Sequence, residues 1–194
     1  MKKHLIISGV PRAGKSTVSR LLAKTCGYQH ISMDSIIAGF ERCFPETGVN
    51  TYADLSSMEI LHQISGKMAP FLRAMMDSGE YDETDYGMVI DMYQLLPEDY
   101  VKHIDSGVCG ITYFVTAEVT PEERFRLLKQ FDTPDDYSYH TPDAEQRENC
   151  VYLVEQSRLI REQCRRFGLP CYETSKNRDA VLTGFLNSLI EANT

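Results

Sequence analysis

Gly9 and Gly14, with four residues between them and Lys15 and Ser16 directly after, form the pattern G-x-x-x-x-G-K-[ST]. That spacing suits the holding of a phosphate, because glycine lets the backbone turn tightly and approach a ligand closely. The N–H groups of such a loop, together with the positive end of a following helix, attract an anion. Lys15 brings the charge that bridges β- and γ-phosphates, and the Ser16 hydroxyl is a ligand for Mg²⁺. The stretch GVPRAGKST, residues 9–17, is therefore the candidate nucleotide cradle. The backbone of Gly9, Pro11, Arg12, Ala13, Gly14, Lys15, Ser16 and Thr17 would surround the phosphates.

Two carboxylates have suitable positions for the rest of a phosphoryl transfer. Such a reaction needs Mg²⁺ to bridge phosphate oxygens and a group that orients or deprotonates the acceptor hydroxyl. Asp34, in HISMDS, follows a short apolar run at the edge where open α/β sheets bind ligands. The same carboxylate is equally placed to cap a helix beginning at Ser35. Asp91 ends the apolar run MVID and is the second candidate Mg²⁺ ligand, although turns recruit Asp for their own reasons.

These residues need elements to position them. Strand-like apolar runs alternate with helical patterns along the chain, which favours a parallel sheet with crossover helices on both faces. HLIISG (4–9) reads as a strand buried on both sides. A helix from Lys15 to Thr25 stops at Gly27, and YQHIS (28–32) is a second strand. Met58, Leu61, Ile64, Met68, Phe71, Leu72 and Met75 recur at steps of three or four and predict a helix over 54–77, with a kink at Pro70. YGMVIDMY (86–93), GITYFVTA (110–117) and LPCYET (169–174) read as further strands, and PEDYVKHID (97–105) as a helix. Thr120, Pro121 and Glu123 form a complete helix start for 120–131. The next segment, DTPDDYSYHTPD (132–143), has two Pro, four Asp and no period, so it reads as a loop. A long helix stopping at Gly168 and a closing helix over 177–193 complete the pattern.

Composition narrows the partners. With 194 residues and 42% hydrophobic content the chain can bury one sizeable core. A net charge of −8 argues against general nucleic-acid binding. No run reaches the roughly 20 apolar residues of a membrane span, and the start carries no signal-peptide pattern. The six cysteines are dispersed without a C-x-x-C pair, which reads as reduced thiols of a cytoplasmic protein.

On the cradle and its strand–helix context, the sequence resembles the P-loop NTPases, and within them the nucleoside-, nucleotide- and small-metabolite kinases. The resemblance is specific over residues 4–25 and elsewhere follows the order of elements. It implies a three-layer α/β/α fold with a five-stranded parallel sheet in one domain spanning 1–194. It further implies a helical acceptor-binding region at 35–85 and a short lid at 131–147. Asp34 looks like the family's base and Asp91 like its Walker B carboxylate. Lid arginines in this family neutralise the moving phosphoryl group; Arg124, Arg126 and Arg147 flank the loop here, with Arg126 and Arg147 the best candidates and solvated helix positions the plain alternative. Ser175 and Asn177 fall where the family cradles the base.

Two departures matter. DMYQLLPED lacks the arginine with which many monophosphate kinases grip an acceptor phosphate, and the guanine-reading N-K-x-D order is absent from SKNRD. The expected activity is therefore transfer of the γ-phosphate of ATP, with Mg²⁺, to a small-molecule hydroxyl or phosphate by a monomer or homodimer. A nucleotide-binding switch and a stand-alone NTP hydrolase are the alternatives.

Overall fold

The computed structural model describes residues 3–49, 57–78 and 87–191. The acidic run at 80–85 and the outer ends of the helix expected from 54, the strand from 86 and the helix to 193 lie outside them.

Five strands form one parallel sheet in the order β2-β3-β1-β4-β5. They are β1 (His4–Gly9), β2 (Gln29–Ser32), β3 (Met88–Asp91), β4 (Cys109–Val115) and β5 (Cys171–Glu173). β1 lies centrally, with Ile7 beside Asp91 of β3 and Gly9 beside Phe114 of β4. β2 pairs Ser32 with Asp91, so three strands end at one edge, next to the cradle.

Between β1 and β2 runs α1 (Lys15–Cys26), ended by Gly27 at φ 73°. α2 (Met33–Cys43) and a 3-10 turn (Pro45–Thr47) follow β2, and α3 (Met58–Asp77) leads toward β3. The α3 helix carries Pro70 inside it as one 20-residue element. The remaining helices are α4 (Pro97–His103), α5 (Pro121–Phe131), α6 (Tyr137–His140), α7 (Asp143–Phe167) and α8 (Arg178–Glu191). α6 is a short helix within the segment expected to be wholly irregular, too brief for a periodic signal. β3 ends at Asp91, with one further bond to β1 from Met92 N–H to Ile7 O at 3.1 Å before the chain bends at Tyr93.

Neighbouring residues of β4 show the layers. Consecutive side chains of a strand point to opposite faces. Phe114 meets Phe185 of α8 edge-on at 5.3 Å, whereas Tyr113 feels Cys164 of α7 and Tyr100 of α4. α8, with α1 beside it, therefore covers one face and α4 with α7 the other. Burial raises the Tyr113 hydroxyl well above its ordinary range, and Tyr113 and Phe114 are fully enclosed. Cys109, Cys150 and Cys164 are buried; all six thiols are free. Among the described residues no helix is long and apolar enough to cross a membrane.

Candidate functional site

The loop between β1 and α1 is built by two glycines in left-handed backbone. Gly9 has φ 118°, and a Cβ there would sit 2.0 Å from the Phe114 carbonyl oxygen. Gly14 has φ 105°, and a Cβ there would stand 2.6 Å from the Leu182 side chain. No acidic residue occupies the first turn of α1, so its positive end is uncompensated. Lys15 is 9% exposed and its ammonium donates to Val10 O at 3.0 Å, folding back over the loop. The Tyr93 ring centroid lies 5.8 Å from the same nitrogen. Ser16 and Thr17 are exposed at the start of α1.

Asp34 stands in the first turn of α2, which begins at Met33 after Ser32 in the capping position. The helix thus starts two residues earlier than a cap at Asp34 would require, and the carboxylate has no capping role. Asp34 is solvent-accessible yet ringed by protein. Desolvation raises its carboxyl most; Lys15 lowers it, the Asp91 charge raises it and a hydrogen bond from the Gln94 amide lowers it, leaving it above the ordinary range. Asp91 itself is 7% exposed at the end of β3, with His30 Nε2 3.9 Å from its carboxylate. Lys15, Asp34, Asp91 and Gln94 therefore form one charged group. Gln94 carried no distinguishing signal in the sequence. It is 1% exposed, and its Oε1 has no partner among the described residues.

A cleft of about 820 Å³ runs from the loop toward the segment after β5. Arg12, Arg124, Asp136, Thr174, Ser175 and Asn177 are among its lining residues. The far end is fixed by Glu173, whose carboxylate accepts from Ala117 N–H at 2.8 Å and Ser175 N–H at 3.0 Å. Asn177 adopts φ 52°, a left-handed conformation that Asn tolerates better than most residues. The Ser175 hydroxyl is buried without a partner among the described residues.

Arginines are arranged differently from the sequence expectation. Arg126 has a 74% exposed side chain paired with Glu122 at 3.5 Å. Arg147 also reaches Glu122, at 3.3 Å, and stacks over the Phe125 ring at 3.9 Å. Neither lines the cleft. Arg124, two residues from Arg126 and so about 200° around the helix, turns inward. It is 4% exposed and donates to Pro11 O at 2.8 Å, inside the cradle. Arg12 reaches out of the loop to Asp132 and Asp136 of the segment after α5.

Oxygen donors of the kind Mg²⁺ takes stand at the start of α1 and at the end of β3. Mg²⁺ is usually held by one or two protein oxygens plus phosphate and water, and Ser16 with Asp91 supplies that kind of partial set. Among the described residues no group of three or more His, Cys, Asp or Glu side chains forms a self-sufficient metal cage.

The five-stranded parallel sheet and its flanking helices form a three-layer α/β/α fold with the loop between β1 and α1 at one edge. No protein-family model matches the chain, and comparison with curated protein sequences finds no match. Solved structures do match in fold. A gluconokinase from Sinorhizobium meliloti 1021 superposes with TM-score 0.54 at 14% identity, covering 100% of this chain and 95% of its own. A shikimate kinase from Bacteroides thetaiotaomicron gives 0.53 at 16% identity, with 97% of each chain covered. A shikimate kinase from Acinetobacter baumannii, solved with shikimate, gives 0.54 at 16% identity over 100% of this chain and 96% of its own.

Proposed function

We infer that the protein is a small-molecule kinase, moving the γ-phosphate of ATP to a hydroxyl or phosphate of a small metabolite. The observation that carries this reading is the meeting of Lys15, Asp34 and Asp91 at the ends of β1, β2 and β3. A cradle alone would suit a switch or a hydrolase. A second carboxylate set beside the cradle's lysine adds the group that an acceptor requires. The gluconokinase and shikimate kinases of the same fold phosphorylate small polyhydroxylated acids by name, in keeping with a metabolite acceptor.

In this reading the residue 9–17 backbone and Lys15 hold the β- and γ-phosphates. Ser16 and Asp91 hold Mg²⁺, which when bound neutralises charge on the bridging phosphate oxygens. Asp34 accepts the proton of an acceptor hydroxyl, and Gln94 fixes its orientation. A raised carboxyl suits this role, since a base works best with a pKa nearer the operating pH. Ser175 and Asn177 take the base end of the cleft. Arg124 fastens α5 to the loop, beside the 131–147 lid.

The test is ADP formation from Mg-ATP with a panel of sugars, sugar acids, nucleosides, nucleotides and amino alcohols, using Lys15→Ala as the blank. Stimulation by one class of acceptor supports the kinase. Turnover indifferent to every acceptor would favour a hydrolase.

A further inference from the structure

A triphosphate undergoing transfer needs cations around it, and the 132–143 segment that faces the cradle offers none: it holds four Asp and no Lys or Arg. Arg126 and Arg147 are engaged with Glu122 on the far side of α5. Arg124 is committed to the Pro11 carbonyl. Arg12 is different. It sits within the cradle, three positions before Lys15, and its backbone is held at φ 61°, where a side-chain-bearing residue is strained.

The Arg12 side chain lines the cleft together with Asp136. Its Nη1 donates to Asp136 Oδ1, and its Nη2 lies 3.1 Å from Asp132 Oδ1 and donates to Phe131 O at 3.2 Å. Nε has no partner among the described residues. Both carboxylates are braced. Ser138 Oγ and Gln146 Nε2 donate to Asp132, at 2.8 and 3.2 Å. Thr133 donates to Asp136 from its N–H at 2.8 Å and its hydroxyl at 2.9 Å. Two carboxylates on one guanidinium leave the cluster at a net charge of −1, directly beside a loop shaped for polyanions. An arriving triphosphate is repelled by that cluster yet attracted by the arginine inside it. The carboxylates and the phosphate compete for one positive charge, and the Nη fork that now faces the aspartates must turn to meet phosphate oxygens.

We propose that Arg12 is a catalytic residue that alternates between the lid carboxylates Asp132 and Asp136 and the terminal phosphate of ATP. This rests on the kinase reading above and adds to it the source of the transferring cation. Without nucleotide, the two aspartates hold Arg12 and tie the lid to the loop. With ATP bound, the guanidinium turns to the γ-phosphate, the lid is released from Arg12, and the acidic segment competes with the nucleotide for one cation. The lid thus works by withholding a charge, the reverse of a lid that brings one.

The opposition of signs makes the proposal testable. ATP and ADP affinities are measured by isothermal titration calorimetry on the wild type, Arg12→Ala, Arg12→Lys, the Asp132→Asn/Asp136→Asn double variant and Lys15→Ala. Arg12→Ala is expected to weaken ATP about tenfold and ADP much less, as loss of one charged phosphate contact should. The double Asn variant is expected to tighten ATP several-fold, since its competitors are gone. Arg12→Lys, keeping a charge but not the fork, should fall between wild type and Arg12→Ala. If the double Asn variant weakens ATP as Arg12→Ala does, the aspartates support the site rather than compete for it, and the proposal is overturned. If ATP binding depends on Lys15 but is indifferent to Arg12, the proposal fails while the kinase reading stands. A wild type that binds no ATP would overturn the reading and the proposal together. Should Arg12→Ala fail to fold, the double Asn variant, whose cradle is untouched, still decides the sign.

Discussion

Gln94, on the turn after β3, acts on Asp34 on the first turn of α2, its side chain lowering the carboxyl that burial raises. The amide is almost wholly enclosed, and Lys15 acts on the same carboxylate. Replacing Gln94 with leucine removes the donor while roughly keeping the volume. Gln94→Leu is expected to lower kcat about tenfold and change the KM for ATP less than about twofold, because orientation of the base acts in the transition state. Its acid limb should move to higher pH, since the Gln94 hydrogen bond lowers the Asp34 carboxyl. Steady-state kinetics across pH checks both. A change confined to KM would show that Gln94 serves binding alone.

Asp34 also has a stability consequence. Its carboxyl titrates above the ordinary 3.8 in the folded chain, with burial the largest cause and Asp91 adding to it. A carboxyl raised on folding binds protons more readily in the native state. The cost of ionising it is absent below the unfolded pKa, sets in as pH rises through the folded one, and is complete above it. Asp34→Asn should therefore raise the melting temperature of the nucleotide-free protein at pH 7, with the gain fading on acidification through the carboxylate range, while phosphoryl transfer is lost. Calorimetric melting at several pH values decides it. An unchanged or lower melting temperature at pH 7 would show that Asp34 makes compensating native contacts.

The two cradle glycines should respond unequally. Alanine at Gly9 meets a backbone carbonyl of the central sheet at 2.0 Å, whereas alanine at Gly14 meets the end of the Leu182 side chain at 2.6 Å. Both also suffer a positive φ, a strain of order 1–3 kcal/mol. Gly9→Ala is expected to destabilise by roughly 3 kcal/mol or more, and Gly14→Ala by roughly half of that, because Leu182 can move. Urea unfolding of the pair measures the order. Measured against Leu182→Ala alone, Gly14→Ala should cost less in the Leu182→Ala background than in the wild type, whereas the cost of Gly9→Ala should be the same in both.

Arg124 and Arg126 form a matched pair on α5. Arg124→Ala removes a charged hydrogen bond to Pro11 O and should cost about 1–3 kcal/mol along with a rise in the KM for ATP. Arg126→Ala removes a surface pair with Glu122 and should cost under about 1 kcal/mol with little kinetic effect. Equal effects would mean that α5 presents its other face to the nucleotide during turnover.

Much of the fold was legible because its signals are local. The buried strand before the cradle, the glycine stop of α1 and the Thr120–Glu123 capping box, seen here in full, depend on neighbours a few residues apart. The site's ionic arrangement was not legible for the opposite reason. Arg12 meets Asp136 across 124 positions, and Arg124 meets Pro11 across 113. The sequence favoured Arg126 over Arg124, because spacing alone does not show that the packing of α5 against α7 turns Arg124 toward the loop. Asp34 had been equally consistent with a helix cap, and one turn of backbone, beginning at Met33, removes that alternative. Gln94 carries no motif; its importance comes from being enclosed beside a carboxylate.

The most direct measurement follows the labelled terminal phosphate of ATP in the presence of the acceptor that best stimulates ADP formation. Label is expected to appear on the organic acceptor in proportion to ADP, and to be lost with Lys15→Ala and strongly reduced with Asp34→Asn. Label released only as inorganic phosphate, at a rate the acceptor does not change, would contradict a kinase and make the protein an NTP hydrolase.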